Sequence, residues 1–80
     1  MHELGVLKQA LGRVQRIAEE NRIEKIRCVA FEVGEASGIV PAYFQKLYPL
    51  ARELFPALVC SELKMDIIPG SQFKIKEIAY

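Results

Sequence analysis

Leu4, Leu7, Leu11, Val14 and Ala18 recur at steps of three and four along the first quarter of this chain. Ala10 and Ile17 widen the stripe, and Lys8, Gln9, Arg13, Arg16, Glu19 and Glu20 occupy the other side. This period predicts an amphipathic helix over residues 3 to 21, with Asn21 as its stop. Such a helix must bury its apolar face, and that requirement constrains the fold more than any other feature. A chain of 80 residues buries only roughly 60% of its unfolded surface, so its stability margin is thin. The helix face is therefore needed for the chain's own core rather than for docking on a partner.

Alternation begins after the helix. Over residues 25–35, Val29, Phe31 and Val33 fall on one side, and Cys28, Ala30 and Glu32, joined by Ile26, on the other. That is the pattern of a strand with one core face. Gly34 ends it, and Glu35-Ala36-Ser37-Gly38 reads as a small-residue loop. Two spaced glycines beside an acid, without Gly-Lys-Ser or Gly-Lys-Thr, suit a connector rather than a phosphate cradle. Pro41 fits the first turn of a second helix, broadly apolar through Tyr43, Phe44, Leu47, Tyr48, Leu50, Ala51, Leu54 and Phe55. Pro49 removes a backbone donor inside that pattern, which predicts a kink or two short helices meeting at Tyr48-Pro49. Residues 60–68 read as a second strand with Leu63, Met65 and Ile67 facing the core and Glu62, Lys64 and Asp66 facing water. Pro69-Gly70 favours a turn. Phe73 and Ile75 then alternate with Lys74 and Lys76 in a third strand, and Ile78 breaks the phase, so a bulge or strand end is expected near Glu77.

The order helix, strand, helix, strand, strand predicts an α+β fold: two helices on one face of a three-stranded mixed sheet. The first two strands should run parallel through a right-handed crossover, and the last two, joined by a short turn, antiparallel.

Length and charge bound the function. Residues 1–80 make a single domain. A net charge of +1 argues against nucleic acid or an anionic membrane as the main partner, and near neutrality leaves a homo-oligomer open. No apolar run approaches the roughly 20 residues that span a bilayer. Glu3, Lys8 and Arg13 interrupt any signal-peptide pattern, so the cytoplasm is the expected location. Cys28 and Cys60 fall inside predicted strands and are read as buried free thiols. The inventory suits no enzyme. Ser37, Ser61 and Ser71 have no base nearby in sequence, and Cys28 or Cys60 would have to meet the only histidine, His2, for nucleophilic catalysis. Glu3, Glu19, Glu20, Glu32, Glu35 and Asp66 show no paired acid and base.

His2 stands directly beside the terminal amine. The amine of Met1, the backbone nitrogen of His2 and its imidazole can close adjoining chelate rings on one metal. A planar set of nitrogen donors suits Ni(II) or Cu(II) better than tetrahedral Zn(II). Glu3 can add an oxygen ligand or an acceptor that orients the imidazole. The plainer alternative is an exposed histidine at a frayed chain end.

The segments MHELGVLKQAL, IRCVAFEVGEASGIVPAYF, SELKMDIIPG and SQFKIKEIAY resemble, in that order, the HypA/HybF family of hydrogenase nickel-insertion accessory proteins. MHEL and VGEASGIVP are the most specific of these pieces. The resemblance implies the same fold, nickel binding at Met1, His2 and Glu3, and delivery to a hydrogenase large subunit or other nickel-enzyme precursor, with a nickel-handling GTPase as a further partner. It also implies a zinc-binding segment with two CxxC pairs before the closing strand. Here Gly70 runs straight into Ser71-Gln72-Phe73, and the two cysteines form no CxxC. Four thiolates at that spacing would signal zinc; Cys28 and Cys60 do not, and no structural zinc is expected. Two functions follow. One is a nickel metallochaperone. The other is a protein-interaction or scaffold module that keeps the fold without delivering metal.

Overall fold

The computed structural model describes residues 2–80. Helix α1, Glu3–Glu20, buries Leu7, Ala10, Leu11, Val14 and Ala18, while Leu4 and Ile17 sit at the margins of the stripe and are exposed. Its end is a Schellman motif in which Arg22 takes the left-handed conformation (φ 57°) that glycine usually supplies. The N–H of Arg22 donates to Glu19 and that of Ile23 to Ala18, while the Asn21 side-chain amide donates to Ile17 O at 2.8 Å.

Three strands follow: β1, Cys28–Gly34, β2, Glu62–Ile68, and β3, Phe73–Ala79. The spatial order is β2-β1-β3, with β1 parallel to β2 and antiparallel to β3. The mixed α+β sheet is thus as expected, and the last two strands run in opposite directions, but they flank β1 instead of pairing with each other. Residues 69–72 therefore pass across the end of β1. The N–H groups of Gly34, Glu35 and Ala36 donate to the carbonyls of Gln72, Ile68 and Gly70 there. Strand β1 is shorter than the 25–35 alternation suggested, because the chain before Cys28 leaves the pleat and turns Ile26 into the core. The expected bulge is present: Ala30 pairs with Glu77 and Phe31 with Ile75, so Lys76 is the extra residue and Ile78 comes opposite Val29.

Helix α2, Pro41–Ala51, fills the crossover between β1 and β2. It does not divide at Tyr48-Pro49. Pro49 lies in the last turn on the exposed side, where a missing donor frees one carbonyl without crossing the core. A 3-10 turn, Arg52–Leu54, continues it. Phe55 is extended (φ −129°) ahead of Pro56, the backbone that a residue before proline prefers, and a second 3-10 turn, Pro56–Leu58, follows. This path corrects the second strand. Cys60 lies in a turn and is exposed, not inside a strand, and Ile67 is half exposed near the end of β2.

The core lies between the helices and one face of the sheet. Val29, Phe31 and Val33 are buried there, and Phe31 and Phe44 flank Phe73 with ring centroids 4.9 and 5.5 Å away. These aromatic contacts tie β1, α2 and β3 together. The other face is open and carries ion pairs, Lys74 with Glu32 and Lys76 with Asp66. Among the described residues no helix is long and apolar enough to cross a membrane.

Candidate metal centre

At the start of α1 the helix uses almost nothing of His2 except its carbonyl. His2 is the N-cap residue (φ −88°, ψ 80°), its side chain makes no capping bond, and it is exposed. The first intrahelical bond runs from Val6 N–H to His2 O at 3.1 Å. The N–H of His2 precedes that ladder, as the first donors of any helix do. Imidazole and backbone nitrogen are thus spared by the fold. Met1, the third member of the expected donor set, lies outside the described residues.

Glu3 differs from the expectation in one respect. It is buried, and its Oε2 accepts the Val40 N–H at 3.4 Å. Val40 is the N-cap of α2 and has no side-chain oxygen with which to cap that helix. Glu3 accepts the N–H of Val40 itself and so ties the entry of α2 to the head of α1. Its carboxylate then stands at the N-terminal ends of both α1 and α2, where two positive helix poles favour an anion. No pattern within one element signals this bond, because it joins residues 37 positions apart. Sequence reasoning read Glu3 only as a ligand or an orienting acceptor and missed this role.

The neighbouring loop completes this end of the molecule. Ser37 N–H donates to Gly34 O, Ile39 N–H donates to Ser37 Oγ at 3.2 Å, and Gly38 takes a positive φ of 82°. Glu3 at the start of α1 is thereby brought against the chain that leads into α2. Among the described residues no three His, Cys, Asp or Glu side chains gather into a metal-sized cluster. The cysteines take no part. They are free thiols that share a shallow surface depression with Lys25, Arg27 and Lys64 at the start of β1.

Fold and site together define a small α+β domain with nitrogen donors left uncommitted at the head of its first helix. The chain belongs to the HypA family: the profile described as "Hydrogenase/urease nickel incorporation, metallochaperone, hypA" matches residues 1–71. Members of this family carry nickel as metallochaperones, and the chain is not an enzyme. The solution structure of the Ni metallochaperone HypA from Helicobacter pylori shares the fold with a TM-score of 0.78 at 20% identity, covering 96% of this chain and 72% of that one. No curated protein matches the chain.

Proposed function

We propose that this protein binds Ni(II) as cargo through Met1, His2 and Glu3. It delivers the ion to a maturing hydrogenase large subunit or another nickel-enzyme precursor in the cytoplasm, with a nickel-handling GTPase as a further partner. The observation that carries this reading is the exposed His2 side chain, free of any capping role, at the N-cap of α1. A planar chelate of amine, backbone nitrogen and imidazole requires the His2 amide to lose its proton. The positive pole of α1 favours that anion, because the charge develops at the end of an aligned run of peptide dipoles. Glu3, besides its place in the proposed donor set, accepts the Val40 N–H, a bond that joins the head of α1 to the start of α2.

The engaged Glu3 carboxylate also favours the second reading, an interaction module that keeps the fold and carries no metal. Nickel titration of the untagged protein, followed by calorimetry and absorption, separates the two. The metallochaperone reading expects one Ni(II) per chain, lost in His2→Ala with the circular dichroism spectrum unchanged. Binding should weaken as the solution is acidified, since the metal displaces protons from amine and imidazole. Adding one residue before Met1 should damage binding nearly as much as His2→Ala. Equal affinity of the native and extended proteins would remove the terminal chelate.

A further inference from the structure

The two open edges of the sheet are treated differently. At the start of β2 side chains of the crossover cover part of the edge: Gln45 Nε2 of α2 donates to Leu63 O at 3.1 Å, and Arg52 Nη1 donates to the carbonyl of Ser61, just before the strand, at 2.7 Å. Edge carbonyls paired in this way are closed to another strand. Along β3 the situation is the reverse. Gly34 N–H donates to Gln72 O, and Glu32 stands in register with Lys74, so the alternation of an antiparallel ladder directs Gln72 and Lys74 toward β1. The backbone groups of Phe73 and Ile75 therefore face outward, where no strand pairs with them.

A groove of about 530 Å³ runs beside this edge, between β3 and α1. Its lining combines apolar Val6, Phe73 and Ile75 with Lys8, Arg13 and Arg16 of α1 and Lys74 of β3. No carboxylate lines it. Among the described residues the salt bridges are Lys74 with Glu32 and Lys76 with Asp66, so these three helix cations have no acidic partner. On a chain of net charge +1 this is a local concentration of uncompensated positive charge.

We propose that this groove docks an extended, acidic segment of a partner protein, which adds to β3 as a fourth strand beside Lys8, Arg13 and Arg16. Outward N–H and C=O groups of Phe73 and Ile75 require a partner with both acceptors and donors, which a peptide backbone has and a phosphate chain lacks. The helix cations select acidic side chains and speed the encounter. A second copy of this chain is the wrong occupant, because its own edge strand Phe73–Ala79 offers the single acid Glu77 beside Lys74 and Lys76 and so lacks the acidic run the helix cations select. The proposal does not rest on the nickel site.

The test uses a labelled peptide of alternating glutamate and valine, followed by fluorescence anisotropy and by amide exchange in NMR spectra. The peptide should bind in a salt-dependent way and slow exchange at Phe73 and Ile75. The double variant Arg13→Glu/Arg16→Glu, both sites being exposed, should keep the fold and weaken binding at least about tenfold. A lysine-valine peptide, and a glutamate-valine peptide N-methylated at every backbone nitrogen, should each bind at least about tenfold less well. His2→Ala should bind the peptide as the native protein does, so failure of nickel binding leaves this result readable. The proposal is overturned if the methylated peptide binds equally well, if exchange at Phe73 and Ile75 is unaffected, or if an oligonucleotide binds as tightly. It is also overturned if the protein protects the same amides by self-association without peptide.

Discussion

Single residues carry much of the tertiary geometry, and Gly34 is the sharpest case. A Cβ there would collide with the Gly70 carbonyl and lie 2.8 Å from the backbone of Gln72. Neither obstacle is a flexible side chain, so residues 69–72 would have to move. Gly34→Ala should cost about 2 kcal/mol or more, a fall in Tm of roughly 8–16 °C for a domain this small. Thermal unfolding followed by circular dichroism checks this, and an unchanged Tm would show that the crossing is loose. Arg22 is the opposite case. It holds the left-handed position of the Schellman motif with a side chain that strains it. Arg22→Gly should raise stability by about 0.5–1 kcal/mol, the relief of strain being partly offset by the greater freedom of glycine in the unfolded chain. Equilibrium urea unfolding of this variant should show a higher midpoint at the same slope.

Elements are joined by a few polar bonds that patterning does not reveal. Where α2 meets the start of β2, the buried Tyr48 hydroxyl lies 2.5 Å from Ser61 Oγ, which in turn donates to Leu58 O. Burial pushes the Tyr48 phenol above its ordinary 10.0, against the opposing pull of the Ser61 bond and the Arg52 charge. The folded state thus favours the neutral phenol. Stability from this group is fully present below pH 10.0 and is lost as pH rises from there through the folded value, because the unfolded chain releases the proton first. Melting temperature should therefore drop as pH rises above 10, with a shallower drop in Tyr48→Phe. At neutral pH that variant should lose about 1 kcal/mol, the net worth of one hydrogen bond. Equal alkaline slopes in the two proteins would place the sensitivity elsewhere.

For the whole molecule the question is what holds 80 residues together. The aromatic contacts of Phe31, Phe44 and Phe73, with the buried stripe of α1, link every layer. Cys28 and Cys60 are free, and Cys60 is exposed. We expect the fold to stand without a structural metal. A strong chelator should leave the melting curve within about 1 °C of its position without chelator, whereas a metal-dependent domain would lose most of its structure. Loss of helical signal on adding chelator would refute this. Of the broadly apolar second helical segment, Tyr48 is buried and Phe55 is partly buried against the core, while Tyr43, Leu50 and Leu54 stay exposed.

Local periodicity was enough to read α1, the core face of β1, the bulge in β3 and the α+β order, because each follows from which side chains must leave water within one element. The proposed amino-terminal donor set also comes from the sequence alone, because a chelate built from adjacent residues is a local pattern. Tertiary structure alone decided the rest. Placing β1 at the centre sent residues 69–72 across its end and made Gly34 indispensable. Packing α1 beside α2 turned Glu3 from a free carboxylate into the acceptor of the Val40 N–H at the entry of α2. Cys60 left the strand pattern because Pro56 and the turns around it bend the chain before β2 begins. Each of these depends on which backbone groups meet across the fold. The hydrogen bonds and steric contacts involved join residues far apart in the chain, and no pattern within a single element records them.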